Sequence, residues 1–227
     1  MRIWIQFLFA SLLVCMIPPS WAVSGENWRT YRLAVMKTEL EVALPLNLLN
    51  EITRRDWRAP YRAVRLDEIY SAKTTEERAF NALLDIKGPF GIGVSGYIKF
   101  FGVIARKPEW FSGNLFDITA LNEMMKHRVV VLGKGSEFHF EIVNLNGMPW
   151  IHWCDYDPNA PSTGRVRRLD RYSRPLTDDL YLDVAIDQGN ASVSDNLGWL
   201  KTADRLRERL KNSLVIRYPI DTKIPHP

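Results

Sequence analysis

The amino-acid sequence predicts an α+β protein in which a mainly antiparallel sheet is flanked by helices. Three observations support this prediction. Short stretches of alternating apolar and polar residues recur along the chain, an Asn-Gly pair separates two of them, and an amphipathic helix follows near the end. Hairpins imply antiparallel pairing, and helices with one apolar face pack against such a sheet.

The first 22 residues have the anatomy of a secretory signal peptide. Arg2 precedes an apolar run from Ile3 to Ile17, and Ser20 and Ala22 place small residues before a cleavage site. The run is short for a membrane span. We therefore expect a Sec-type signal peptide at residues 1–22, cleavage after Ala22, and export to a bacterial periplasm or beyond. An uncleaved anchor is the alternative, and it also leaves the folded part outside the cytoplasm.

Residues 23–227 are numerous enough for a single domain with a full core. An apolar content of 46% with eight tryptophans excludes disorder. Cleavage removes Cys15 and leaves Cys154 alone, so no intramolecular disulfide is expected. The formal charge of +4 is too small to indicate nucleic acid as a partner. No later stretch of sequence is apolar enough to predict a transmembrane segment.

The first half of the domain is predicted to mix strands and helices. Residues 30–45 read as two strands around Lys37-Thr38-Glu39, and residues 46–56 as a short helix. Thr74 with Glu77 has the pattern of a helix start, and Gly88-Pro89 has the pattern of a stop. That helix is expected to run through Ala79, Leu83 and Leu84.

The second half begins with a helix that Asp117 is expected to cap, followed by a strand over residues 128–132. A hairpin comes next, and then strands over residues 165–172 and 180–187. A helix from about residue 195 to 211 carries one apolar face, and a strand over residues 213–218 completes the domain. That face consists of Leu197, Leu200, Ala203, Leu206 and Leu210.

The hairpin over residues 137–157 is the first candidate site. Asn146-Gly147 predicts a two-residue turn, because both positions of such a turn need positive φ. Counting outward places Glu141 opposite His152 and His139 opposite Cys154. These four polar side chains then share one face, and Phe138, Phe140, Ile142 and Trp153 lie on the other.

Three interpretations of that polar face stay open. Imidazole and thiolate are preferred ligands of zinc and copper, so His139, His152 and Cys154 are candidate metal ligands. The same groups, with Glu141, are also of the types used in nucleophilic catalysis. However, no sharp turn or glycine-flanked helix start presents the cysteine. The third interpretation is a half-buried polar face in which Cys154 is simply packed.

A second candidate site is a group of five arginines within ten residues: Arg165, Arg167, Arg168, Arg171 and Arg174. Guanidinium groups bind carboxylates and phosphates in fork geometry. The first four are therefore candidate contacts for an acidic protein partner or an anionic lipid headgroup. The alternative is a charged edge strand that discourages aggregation.

A third motif, Gly91-Ile-Gly93-Val-Ser-Gly96, has the glycine spacing of a dinucleotide-binding loop. Such a loop needs a strand before it and a helix at its last glycine. Here a predicted helix precedes the glycines and the β-prone residues 97–103 follow them. We therefore expect no nucleotide cofactor.

The order of the elements carries a family resemblance. An early strand that ends at a proline (LEVALP), a middle of hairpins, and a tryptophan-bearing helix that leads into Ser213-Leu214-Val215-Ile216 resemble the PsbP-like superfamily. The resemblance implies a small exported α/β/α sandwich that acts as an accessory or binding protein rather than as an enzyme. It implies no particular functional residues.

The sequence therefore predicts an exported, non-enzymatic accessory or immunity-type protein that binds a macromolecular partner, in the first instance a periplasmic protein. Abundant arginine and tryptophan support this prediction, because both are favoured at interaction hot spots. Contact with a membrane surface is compatible with it. The alternative is a metal-binding protein or metallohydrolase centred on residues 137–157, with zinc or copper as its cofactor.

Overall fold

The computed structural model describes residues 28–45, 52–58, 69, 75–87, 93–129, 138–156, 167–190 and 198–219. These residues form ten strands and two helices. The strands are β1 (Trp28–Val35), β2 (Thr38–Pro45), β3 (Ile52–Arg58), β4 (Glu76–Lys87), β5 (Val94–Arg106), β6 (His139–Leu145), β7 (Met148–Tyr156), β8 (Arg167–Pro175), β9 (Leu180–Asn190) and β10 (Val215–Arg217). The helices are α1 (Ile118–Val129) and α2 (Trp199–Asn212).

The described strands form two antiparallel sheets. The small sheet has the order β1-β2-β10, and the large one has the order β3-β4-β5-β9-β8-β7-β6. In the large sheet, consecutive strands are neighbours except at the centre, where β5 pairs with β9. Strand β6 therefore lies at one end of the large sheet, paired with β7.

The main core lies between the large sheet on one side and the small sheet and α2 on the other. Leu40 of β2, Phe100 of β5, Ile186 of β9 and Leu206 of α2 are all fully buried in it. In the large-sheet strands other than β3, alternate residues point into this core, as the two-residue period of a strand requires. We call this side of the large sheet the α2 face.

Helix α1 packs on the opposite side of the large sheet, which we call the α1 face. Its buried Leu121, Met124 and Met125 contact Ile151 of β7 and Tyr181 of β9. The large sheet is therefore covered on both faces, and its central strands carry buried residues at successive positions.

The predicted α+β class is wrong, because the described part of the chain is mostly β: two antiparallel sheets with two helices added to them. The main error is the helix expected after Thr74, which is strand β4 over most of its length. It pairs along that length with β3 and β5.

The physical reason for this error is burial of β4 on both faces. Phe80 and Leu84 point to the α2 face, while Asn81 and Asp85 point to the α1 face, and all four are buried. A strand covered on both sides loses the apolar-polar alternation that identifies a strand, and its apolar run resembles that of a helix.

Two other predicted elements also differ. Residues 52–56 of the predicted helix over 46–56 belong to β3, and residues 46–51 lie outside the described residues. The predicted strand over 128–132 begins with Arg128 and Val129, which form the end of α1. Its remaining residues, like the predicted signal peptide, lie outside the described part of the chain.

Elements with strong local signals are confirmed. Strands β1 and β2 pair around a turn at Met36-Lys37. Asp117 caps α1, because its Oδ1 accepts the backbone N–H groups of Thr119 at 2.9 Å and Ala120 at 3.2 Å. Helix α2 buries Ala203, Leu206 and Leu210 on one face, as predicted, and β10 follows it. Of the other two predicted members of that face, Leu200 is partly buried and Leu197 lies outside the described residues.

The last glycine of the GxGxxG motif has a packing role. A Cβ atom at Gly96 would lie 2.3 Å from Cε3 of Trp199, so the absence of a side chain lets the indole of α2 sit on β5. The second half of the motif, from Val94 to Gly96, belongs to strand β5 and not to the start of a helix. It therefore lacks the context of a dinucleotide-binding loop.

Candidate functional site

The hairpin between β6 and β7 has the predicted turn and register. Asn146 has φ of 53° and Gly147 has φ of 79°, as a two-residue hairpin turn requires. The pairs include Glu141 with His152 and His139 with Cys154. The Asn146 side chain also fixes the tip of the hairpin, because its Nδ2 donates to the carbonyls of Asn212 at 3.0 Å and Leu214 at 2.7 Å.

The two faces of the hairpin separate as predicted. On the α1 face, the ring of Trp153 lies 5.0 Å from that of Phe138 and 6.0 Å from that of Phe140, and the indole is buried. His139, Glu141, His152 and Cys154 point to the α2 face. One residue of the apolar row stays uncovered, since Ile142 is 50% exposed.

His152 is the centre of the polar cluster. Its Nδ1 lies 2.8 Å from Oε1 of Glu141, and its Nε2 lies 3.0 Å from Oδ1 of Asp170 on β8. Its ring stacks on that of Tyr172 at 4.7 Å. Two carboxylates therefore hold the imidazole at both nitrogens, and Tyr172 holds it from its face.

Asp170 is the most buried charge of this cluster, with no exposed surface. Burial opposes its ionisation, but hydrogen bonds from His152 and Arg168 and the charges of Arg168 and Arg207 outweigh that effect. They hold the pKa of Asp170 well below its usual range. Arg168 donates from Nε to Oδ2 at 2.8 Å, and Arg207 approaches from α2 at 3.8 Å. The carboxylate thus stays ionised and links β7, β8 and α2.

Cys154 lies on the same face beside Asp170. Burial raises the pKa of its thiol to about 12, and the negative charge of Asp170 and a hydrogen bond to it add to the effect. A thiol with so high a pKa is protonated at neutral pH, whereas nucleophilic attack and metal binding both use the thiolate. This environment suits a packed cysteine.

The three predicted metal ligands are close in the register but are not arranged around a common point. Among the described residues, no three or more His, Cys, Asp or Glu side chains form a group that could hold a metal ion. Both nitrogens of His152 already face carboxylates. The prediction of zinc or copper at His139, His152 and Cys154 stays a prediction.

The predicted arginine site is divided between the two faces of β8. On the α1 face, Arg167 pairs with Asp187 at 3.6 Å and Arg171 with Asp183 at 2.7 Å. On the α2 face, Arg168 binds Asp170. Arg167, Arg168 and Arg171 therefore make internal ion pairs on two faces instead of forming one continuous patch.

The remaining two arginines of the group are Arg174 and Arg165. Arg174 is buried and donates to the carbonyl oxygen of Pro149 and, from Nε at 3.0 Å, to the hydroxyl of Tyr218. It therefore connects Pro149 of the hairpin with Tyr218, which follows β10. Arg165 lies outside the described residues.

Sequence reasoning missed Asp170, Tyr172 and Arg207. Asp170 and Tyr172 alternate with arginines in RRLDRYSR, and this alternation places them on the face opposite Arg171. That pattern was visible in the sequence. What it lacked was the pairing of β8 with β7, which sets Asp170 opposite Cys154 and Tyr172 opposite His152.

The open side of β6 is the other notable feature of the hairpin. In a two-residue hairpin the turn-flanking pair is hydrogen-bonded and the bonding alternates outward, so Glu141 and Val143 bond to β7. Phe140, Ile142 and Asn144 then point their backbone N–H and C=O groups away from β7. Within the described part of the chain these groups have no partner.

Comparison with family models and with curated proteins adds no relative. No protein-family model matches this chain, and no curated protein matches it. The resemblance to the PsbP-like superfamily thus stays a prediction. Neither described helix is both long and apolar enough to cross a membrane.

Proposed function

We propose that this chain is an exported, non-enzymatic accessory or immunity-type protein that binds another protein by adding a strand to the open edge of β6. The observation that carries the proposal is this edge. It offers outward N–H and C=O groups at alternate residues, and the half-exposed Ile142 lies at its middle. A partner strand gains affinity from such backbone groups and specificity from the side chains beside them.

The chemistry of the hairpin favours binding over catalysis. His152, the best-placed candidate base, is held by two carboxylates. The Cys154 thiol, the candidate nucleophile, has a pKa raised to about 12 by burial and by Asp170. A general base needs a free nitrogen, and a nucleophilic cysteine needs its thiolate. Residues 1–22 support export, because they have the three regions of a signal peptide.

The test compares wild type with two substitutions at the edge. Proline at position 142 removes an N–H that points away from β7, so Ile142→Pro blocks an added strand without breaking the pairing inside the hairpin. Ile142→Val is the matched control, since it keeps both the N–H and an apolar β-branched side chain. Both variants should match wild type in circular dichroism.

Each protein is used to capture partners from the exported fraction of its own cells. We expect one stoichiometric protein with wild type and with Ile142→Val, and its loss with Ile142→Pro. Recovery of no stoichiometric protein by wild type, or equal recovery by all three proteins, would contradict the proposal.

A further inference from the structure

We infer that one occupant of the β6 edge is a second copy of β6, paired antiparallel across a two-fold axis at Phe140. This inference rests on the proposed edge-binding function and names a partner for it. It follows from three features of β6: a carboxylate oxygen without a hydrogen-bond partner, an exposed imidazole and an exposed apolar side chain. The proposed pairing gives the first two groups a partner and buries the third.

The polar groups are the carboxylate of Glu141 and the imidazole of His139. Glu141 uses Oε1 to bind His152 at 2.8 Å, and its Oε2 has no partner in the described part of the chain. His139 is exposed, and its ring makes no hydrogen bond, ion pair or ring contact with another described residue. An acceptor and a donor therefore stand two positions apart on one face of an open strand.

Antiparallel pairing about Phe140 brings these groups together. It sets Glu141 of each copy opposite His139 of the other, and the two-fold axis creates this pair twice. Both residues direct their backbone groups toward β7, so the new pair is of the non-hydrogen-bonded kind, whose Cα atoms lie only about 4.5 Å apart. That separation lets an imidazole reach the free carboxylate oxygen.

The same register pairs apolar residues with each other on the α1 face of β6. Ile142 of each copy lies opposite Phe138 of the other, and the two Phe140 residues face each other. Because Ile142 is 50% exposed in the single chain, this pairing covers the apolar surface that the fold leaves open. The backbone groups of Phe140 and Ile142 gain their missing partners.

Neighbouring registers are less favourable. An axis at Glu141 places two carboxylates directly opposite each other, and like charges in that position destabilise a sheet. An axis at Ile142 places Glu141 opposite Val143, which cannot bond the free oxygen. Of these three registers, the one centred on Phe140 is the one that pairs unlike groups.

The test is a charge exchange between the two facing positions, followed by sedimentation of the full mature chain over a wide concentration range. Wild type should form a dimer whose fraction rises with concentration. Glu141→Lys sets lysine against histidine, and His139→Glu sets glutamate against glutamate, so each should weaken the dimer about tenfold because the axis doubles every change. The double variant restores opposite charges and should return the dissociation constant to within about threefold of wild type.

Two outcomes would overturn the dimer, and two further outcomes distinguish this inference from the proposed function. A wild-type protein that stays monomeric at all concentrations overturns the dimer, and so does a double variant no better than the single ones. If wild type is monomeric but Ile142→Pro still loses a captured partner, the edge function stands and the second copy is excluded. If dimerisation follows the charge exchange while capture is unaffected by Ile142→Pro, the edge serves self-association, and the proposed binding of another protein at this edge fails.

Discussion

At the scale of single residues, Asp170 is the residue that connects the polar cluster of the hairpin to β8 and α2. It is a fully buried carboxylate that binds His152 and Arg168 and lies near Arg207. The sequence predicted that Glu141 and His152 would be neighbours, because a two-residue turn fixes that register. It could not predict Asp170, whose partners come from a neighbouring strand and from α2.

We expect Asp170→Asn to destabilise the fold by about 3 kcal/mol, because it leaves the Arg168 charge without its buried partner. Glu141→Gln is the control and should cost about 1 kcal/mol or less, since the Glu141 side chain is 46% exposed. The free energy of unfolding from urea titrations measures both. Similar losses in the two variants would contradict the central role given to Asp170.

The same carboxylate predicts a dependence of stability on pH. The pKa of Asp170 is lower in the fold than its ordinary value of 3.8. Its contribution is therefore complete above about pH 5 and is lost as the pH falls through the acid range, where the unfolded chain takes up the proton first. Wild type should lose more stability than Asp170→Asn between about pH 5 and pH 3.

Cys154 makes a second prediction at this scale. With its pKa raised from 9.0 to about 12, the native thiol should react with iodoacetamide far more slowly than the thiol of the urea-unfolded chain at pH 8. Mass spectrometry of the alkylated protein follows both rates. Rapid alkylation of the native protein would show an accessible thiolate, and it would favour a catalytic or metal-binding role for Cys154.

At the scale of elements, the signals that predicted correctly are local. Asn146-Gly147 accepts positive φ, Asp117 caps α1, and α2 repeats its apolar residues at helical spacing. The prediction failed at β4, where burial on both faces removed the alternation of apolar and polar residues that identifies a strand. The number of layers that cover a strand is a property of the whole sheet, so local sequence could not supply it.

Helix α2 offers the clearest test at this scale. Leu206 is fully buried between the two sheets, so Leu206→Asp should cost several kcal/mol, because the carboxylate loses its hydration without gaining a partner. Lys201→Asp, on the exposed side of the same helix, should change the melting temperature little. An unchanged melting temperature in Leu206→Asp would mean that this face does not contact the core.

At the scale of the whole molecule, we expect export to be accompanied by cleavage of the chain after Ala22. The intact mass of protein isolated from the periplasm should correspond to a chain that begins at Val23. A mass that includes residues 1–22 would contradict cleavage and favour the membrane-anchored alternative. This measurement is independent of the fold and of the β6 edge.

The central claim is that the edge of β6 is open in the single chain and receives another strand. Residue-resolved hydrogen exchange tests it most directly, in dilute protein and again in concentrated protein or with a captured partner. The amides of Glu141 and Val143 should be protected throughout, because they bond to β7. Those of Phe140 and Ile142 should exchange rapidly in the dilute chain and slow by at least about tenfold when the edge is occupied. Protection of Phe140 and Ile142 already in the dilute chain, or rapid exchange under every condition, would contradict the claim.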